Sequence, residues 1–324
     1  MRLLYLGSGE FGLPTLEHLC QHHEVAAVIS QPDRPAGRKR QLKPTPVAEW
    51  AEKQGLDVLK TDNVNDPDFI ERASKYQPDA SVVIAFGQKL SPELIGVLGR
   101  LAVNLHASLL PAYRGAAPIN WAIIEGERTT GVSVIGLARK MDAGAVYARA
   151  EMPIAPDQTA GEAHDQLATL GPDAVQKVLT DLEQGTLQPQ PQDDSQASQA
   201  PKLKKSDGTV DFNQPAERVR NRIHGLTPWP RCRVSWYCQE TGETRTLTLA
   251  RARALPDLPD FLRRQYAGQP LPPAGTVVEG DLVLAAPGAV QLLEVQAPGT
   301  RVMQLGAFAR GHYFGPGDRL EPLA

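Results

Sequence analysis

Residues 1–30 read MRLLYLGSGEFGLPTLEHLCQHHEVAAVIS, and they decide the fold class. Residues 3–6 are an apolar run ended by glycine. Leu13, Leu16, Leu19 and Cys20 then recur at helical spacing, and residues 25–29 form a second apolar run. Strand, helix and strand in so short a stretch make the repeating unit of a parallel sheet. The unit recurs downstream. Thr45 can cap a helix whose first residue is Pro46, with Val47, Trp50 and Ala51 on its inner face and Gly55 closing it. Residues 56–59 give a strand, a helix starts after Asp66, residues 80–85 give another strand, and Ser91-Pro92-Glu93 opens a helix ending at Gly99. Stretches apolar throughout, such as SVVIA from residue 81, suit strands covered on both faces. The N-terminal part is therefore expected to be a doubly wound, Rossmann-like α/β domain.

The first strand-to-helix connection, Gly7-Ser8-Gly9-Glu10-Phe11-Gly12, matches the dinucleotide-binding fingerprint, and Asp33 follows at about the customary twenty-residue distance. In that fingerprint the acid closes the second strand. Asp33 instead follows Gln31-Pro32 into a loop, so the glycines are read as the structural turn of a doubly wound sheet. Residues 32–46, with prolines at both ends and the cations Arg34, Arg38, Lys39, Arg40 and Lys43, are expected to be a loop. Two readings stand for it: a solvated charge run, or an arm that grips phosphates. His18 and His22 lie one helical turn apart, but nothing completes a metal-ligand set, and no metal is expected.

With 41% apolar and 22% charged residues the 324-residue chain can build two ordinary cores, and a net charge of -3 requires any nucleic-acid surface to be local. The three cysteines lack metal or disulfide spacing, which fits a reducing cytoplasm, and no apolar segment approaches the length of a membrane helix. Residues 145–154 can form a strand. A long helix is expected over 159–182, with Leu167, Leu170, Val175 and Leu179 inward. At 184–200 the sequence becomes QGTLQPQPQDDSQASQA, which reads as a linker. The expected domains are 1–183, a linker over 184–206, and 207–324. In the last, short apolar runs at 246–250, 275–278, 282–285 and 290–295 suggest a small β-barrel of OB-like kind. From Arg218 onward there are 13 arginines, 9 acids and no lysine, a mild basic excess compatible with a nucleic-acid surface. The proline-rich insertion at 255–273 has no readable structure.

The chemistry is concentrated in residues 103–144. Asn104 and His106 alternate along an expected strand and so share a face near its carboxyl end, where open α/β sheets bind ligands. Asp142 returns in a Met-Asp-Ala-Gly turn. An amide can donate to a carbonyl oxygen gaining charge, an imidazole can accept a proton, and a carboxylate can stabilise the resulting cation. No serine or cysteine stands out as a nucleophile, so the trio suits attack on an activated carbonyl by water or by a substrate's own amine. The same residues could equally be a structural amide, a core histidine and a turn aspartate.

The run Asn104-Leu-His-Ala-Ser-Leu-Leu-Pro-Ala-Tyr-Arg-Gly-Ala-Ala-Pro-Ile119, with Thr130-Gly131-Val132 and Met141-Asp142-Ala143-Gly144, resembles the signature of the folate-dependent formyltransferases. Further stretches resemble the branch of that family acting on methionyl-tRNA: Gly7 to Phe11 with Pro14, Gln31-Pro-Asp-Arg-Pro-Ala-Gly-Arg38 with Pro44-Thr-Pro-Val47, Ala85-Phe-Gly87, and Thr227-Pro-Trp-Pro230. The resemblance implies transfer of a formyl group from 10-formyltetrahydrofolate to the α-amine of methionine on initiator tRNA, by a monomer. It implies that Asn104, His106 and Asp142 are catalytic. Folate would lie against Phe86, Gly87 and Gln88, Ser108, Leu109, Leu110 and Pro111, and Lys140 and Met141. Arg34, Arg38, Lys39, Arg40 and Lys43 would meet the acceptor end of tRNA, as would the C-terminal domain. Lys39 stands where relatives often have glycine, and the 255–273 insertion is a second departure. A formyl-folate hydrolase, a sugar-nucleotide formyltransferase and a non-catalytic tRNA-binding protein remain alternatives.

Overall fold

The computed structural model describes residues 1–37, 41–279 and 281–323. In chain order the N-terminal elements are β1 (Arg2–Gly7), α1 (Leu13–His22), β2 (Glu24–Ser30), β3 (Arg34–Ala36), β4 (Gln41–Lys43), α2 (Pro46–Lys53), β5 (Val58–Lys60), α3 (Pro67–Ser74), β6 (Ala80–Ile84), α4 (Pro92–Ile95), β7 (Leu101–His106), β8 (Arg114–Gly115), α5 (Pro118–Glu125), β9 (Thr129–Gly136), β10 (Val146–Pro153), α6 (Ala160–Gln184) and β11 (Gln199–Ala200). There follow α7 (Ala216–Gly225), β12 (Cys232–Tyr237), β13 (Thr244–Leu255), α8 (Asp260–Gln265), β14 (Val277–Val278), β15 (Leu282–Leu284), β16 (Ala289–Gln296), β17 (Met303–Gln304), α9 (Leu305–His312) and β18 (Arg319–Pro322). Two compact units divide the chain: Met1–Pro118 with Thr130–Met152 and His164–Ala200, and Ile119–Thr129 with Pro153–Ala163 and Pro201–Ala324. Among the described residues no helix is long and apolar enough to cross a membrane.

In the first unit the sheet runs β10-β9-β7-β6-β1-β2-β5. Its strands from β5 to β7 are parallel, and β9 lies antiparallel to β7. The chain runs β1 to β2 on one side and later returns to place β6 on the other side of β1. This makes the carboxyl ends of β1 and β6 the switch point of a Rossmann-like sheet. Leu4 and Leu6 join Ala27, Ile29 and Val83 in one core with Phe69 and Ala73 of α3 and Leu94 of α4. Each fully buried leucine here contributes about 1.5–3 kcal/mol. The helices start where sequence chemistry puts them. The Thr45 hydroxyl accepts from the Ala48 amide, Asp66 from those of Asp68 and Phe69, and Ser91 from that of Leu94, with proline at the first or second helical position each time.

Tyr5 points to the opposite face from Leu4 and explains the glycines. Its hydroxyl donates to the Gly12 carbonyl at 3.0 Å, and burial pushes the phenol far above its ordinary pKa, so it stays a donor. A Cβ on Gly12 would lie 2.0 Å from that hydroxyl, and one on Gly7 would lie 2.6 Å from the Tyr5 ring and 2.9 Å from the Ile84 carbonyl. Asp33 lies beyond β2, bound to Lys60 at 2.7 Å. The loop expected over 32–46 is corrected in part: Arg34–Ala36 and Gln41–Lys43 pair as an antiparallel hairpin. Backbone pairing between two three-residue strands, with Arg34, Pro35 and all of β4 exposed, leaves no apolar pattern to read. Arg38, Lys39 and Arg40 lie outside the described residues.

In the second unit the strand order is β14-β15-β16-β13-β12-β18, every pair antiparallel, with β17 added to β16. Its two ends meet. The Val277 amide donates to the Asp318 carbonyl, that of Leu320 to Gly275, and Thr276 bridges Arg319, closing the sheet into the expected small barrel. The unread insertion contains α8, whose Leu262 packs with Val278, Leu282 and Leu284. Trp236 fills the barrel beside Phe308 and Phe314 and donates its indole N–H to Asp318 at 2.7 Å. His224 of α7 is buried, and its Nε2 accepts the Ala252 amide where β13 bulges, which fixes the proton of the neutral ring on Nδ1. Burial first, then the cations Arg220 and Arg251, lower its pKa to about 4.

Two outcomes follow. Gly12→Ala should destabilise the fold by about 1–3 kcal/mol through overpacking, and adding Tyr5→Phe, which removes the atom a Cβ would strike, should recover part of that loss in urea titrations. For His224 the unfolded ring binds its proton near pH 6.5, while the folded ring waits until about 4. Its stabilising contribution is therefore complete above pH 6.5 and is lost as pH falls toward 4, by about 3 kcal/mol in all. Melting curves should show that slope reduced in His224→Gln.

Candidate active site

The register of β6 with β7 aligns Val83 with Asn104, so the segment after β6 and the end of β7 emerge side by side at the switch point. Asn104 is half-buried, and among the described residues none donates to or accepts from its carboxamide. His106, two residues on, is only 6% exposed. Its Nε2 lies 2.9 Å from the Tyr113 carbonyl oxygen, which can only accept, so Nε2 carries the proton. The lone pair of the neutral ring is then on Nδ1. That atom faces Asp142 Oδ1 at 3.8 Å, too long for a hydrogen bond but close enough for the carboxylate to attract the ring once Nδ1 has taken a proton.

Asp142 is fixed from several directions. Its other oxygen accepts the Gly115 amide at 2.9 Å. Its backbone is left-handed, φ +55, as is that of Tyr113 at +62, conformations costing non-glycine residues about 1–2 kcal/mol. Gln192 donates through Nε2 to the Asp142 carbonyl at 2.8 Å and the Gly144 carbonyl at 2.7 Å. The buried Arg114 guanidinium holds the Gln192 Oε1 with Nε at 3.1 Å and Nη2 at 2.7 Å. Arg114 also meets Asp194 at 2.7 Å, and Lys140 meets the same carboxylate at 3.0 Å. The hydrogen bonds from Arg114, then those from Lys140, hold Asp194 below the usual carboxylate range.

The structure brings Asn104, His106 and Asp142 to one strand end, with Ser108 to Pro111 just beyond. There the Ser133 hydroxyl donates to the Ser108 carbonyl at 2.7 Å and accepts the Leu110 amide at 3.0 Å, while Arg149 donates to the Leu110 carbonyl. Ser108 itself donates to the Ala112 carbonyl, Leu109 is half-buried, and Pro111 follows a cis bond. Phe86 is buried, and its carbonyl accepts from Gln31. Gly87 has the left-handed φ of +82 that favours glycine, and a Cβ there would lie 2.7 Å from that same Gln31 amide. Gln88 spends both ends of its side chain on the backbone of Val64 and Thr61. Met141 is 62% exposed. Arg34 pairs with Asp62 at 2.8 Å, and Lys43 stands exposed on β4 beside Leu42. Gln192 was not legible, because it sits in a polar run with no motif; Arg114 lay within the quoted signature without an assigned task. A groove of about 480 Å³ along α1, α2 and α6, lined by Pro14, Trp50 and His164 among others, shares no residue with this cluster.

An amide donor unspent among the described residues, beside an imidazole–carboxylate pair at the carboxyl end of a Rossmann-like sheet, is equipment for moving an acyl group between a carbonyl carbon and an amine. Comparison with known proteins agrees. The formyl transferase family profile matches residues 1–179, and the profile for the formyl transferase C-terminal domain matches 202–313. The chain belongs to the formyl transferase family. Its relatives of equal length include methionyl-tRNA formyltransferase of Heliobacterium modesticaldum, 40% identical over 98% of this chain and 99% of that one. The protein of the same name from Moorella thermoacetica is 39% identical over 99% of each. Among solved structures, a sugar 3N-formyl transferase crystallised with dTDP and 5-N-formyl-THF has a TM-score of 0.63 at 14% identity, over 93% of this chain and 99% of its own. HypX from Aquifex aeolicus in complex with tetrahydrofolic acid has 0.59 at 19%, over 96% and 48%. At those identities the two establish the shared fold.

Proposed function

We propose that this protein transfers the formyl group of 10-formyltetrahydrofolate to the α-amine of methionine esterified to initiator tRNA, producing N-formylmethionyl-tRNA for translation initiation in the cytoplasm. The observation that carries the reading is the half-buried Asn104 amide, unspent among the described residues, on the same strand face as a His106 whose Nδ1 is a base turned toward Asp142. Full-length relatives bearing the name methionyl-tRNA formyltransferase supply the substrates.

The chemistry needs no protein nucleophile. Asn104 donates to the formyl oxygen as the substrate amine adds to the formyl carbon and charge gathers on that oxygen. His106 Nδ1 takes the proton that the amine sheds, and Asp142 stabilises the imidazolium. A new carbon–nitrogen bond forms, the bond to the folate nitrogen breaks, and that nitrogen leaves with a proton, so one proton taken and one returned balance the step. Folate lies along Phe86, Gly87 and Gln88, the 108–111 turn, and Lys140 and Met141. With Gln88's side chain already committed, backbone groups supply the polar contacts there. Arg34 and Lys43 flank Arg38, Lys39 and Arg40 in the arm that meets the tRNA acceptor end.

Labelled formyl transfer to initiator methionyl-tRNA, with elongator methionyl-tRNA and water as parallel acceptors, tests the assignment. Formylation confined to the initiator is expected; formate alone would make the enzyme a hydrolase. Asn104→Ala should lower kcat roughly 100–1,000-fold and Asp142→Ala roughly 100-fold or more. Near-normal rates in folded variants would remove these residues from the site. Arg38→Ala should raise KM for tRNA and flatten its salt dependence by about one counterion, with folate binding unchanged; equal loss of both would make the arm structural.

A further inference from the structure

Both partners of His106 are secured by one stretch of chain, residues 190–200, whose composition is that of a linker. On the Nδ1 side Gln192 donates to the carbonyls of Asp142 and Gly144. On the Nε2 side the Ser198 hydroxyl accepts the Tyr113 amide at 2.8 Å, and the Ser198 carbonyl accepts the Arg114 amide at 2.9 Å. The stretch is tied in along its length. Val146 and Gln190 exchange backbone bonds, and β11 pairs with β8 through Gln199 and Ala200. Gly115, whose amide binds Asp142, has no room for a Cβ, since one would lie 2.5 Å from the Ala200 carbonyl.

We propose that Gln192 is a positioning residue for the formyl-transfer site: clamped by Arg114, it holds the left-handed Asp142 turn so that the carboxylate faces Nδ1 of His106. The inference rests on the proposed role of Asp142. Neither strand nor helix bonds fix the Asp142 and Gly144 carbonyls, and one amide group spans both. That amide's orientation is dictated in turn, because its oxygen receives two N–H groups from the guanidinium of Arg114, a residue that is 2% exposed. A carboxylate displaced by even an ångström would sit where it could no longer stabilise the imidazolium, a misplacement worth about 100-fold in rate.

Gln192→Glu separates positioning from bulk. It keeps the size and the oxygen that Arg114 binds, and replaces the donor to the two carbonyls with a second oxygen. Gln192→Ala and Gln192→Glu should each lower single-turnover formyl transfer roughly 10–100-fold, with KM for both substrates within a few-fold of the parent. The decisive measurement is the same change in Asp142→Ala. There, removing Gln192 should cost less than about twofold more, because nothing remains to be positioned. An undiminished loss in that background, or a fully active folded Gln192→Glu, overturns the role of Gln192 while leaving Asp142 catalytic. Near-normal transfer by Asp142→Ala alone would instead overturn the assignment of Asp142, and this inference with it.

Discussion

The hydrogen bond from His106 Nε2 to the Tyr113 carbonyl governs what the rest of the site can do. A carbonyl oxygen has no proton to give, so the ring has no choice of tautomer while that bond persists. All of its basicity is presented on the side of Asp142. The surrounding architecture serves that constraint. The strand end places the ring, the left-handed Tyr113 turns its carbonyl back toward it, and Ser133, opposite His106 in the neighbouring strand, ties down the turn that begins at Ser108. Catalytic groups of this kind are effective when their orientation is settled before the substrate arrives.

The fold was legible where burial dictates composition. Residues 3–6, 27–29 and 82–84 had to be apolar because both sheet faces are covered, and Thr45, Asp66 and Ser91 had to be capping residues because their helices begin there. The trio on β7 and in the Met-Asp-Ala-Gly turn was legible because a period of two puts Asn104 and His106 on one face. What could not be read is held by hydrogen bonds without a hydrophobic pattern. The β3–β4 hairpin is one case, and Gln192 in its Gln, Pro, Asp and Ser surroundings is another. β12 alternates buried residues with exposed or half-buried ones, but it follows the Pro-Trp-Pro turn by one residue and is not among the apolar runs that the sequence shows, because its outward residues are polar.

The glycine fingerprint carries a related lesson. Its spacing is that of a phosphate cradle, yet in this chain a buried phenol two residues before Gly7 accounts for Gly7 and Gly12 by contact. A motif defined by the absence of side chains records that something lies close by. Which neighbour requires the space, a ligand or the protein's own ring, is settled only by the fold around it.

Barrel closure has a consequence in time. β12 receives its second neighbour only from β18, and the same residues 317–320 supply the bonds that seal β14. During synthesis, therefore, β12 and β14 keep open edges until residues 317–322 have left the ribosome, although the strands around them are already made. Closing so long a loop is slow, and open edges invite pairing with other chains. Nascent chains of this protein should be most exposed to aggregation, and most in need of chaperones, between the emergence of β12 and that of β18.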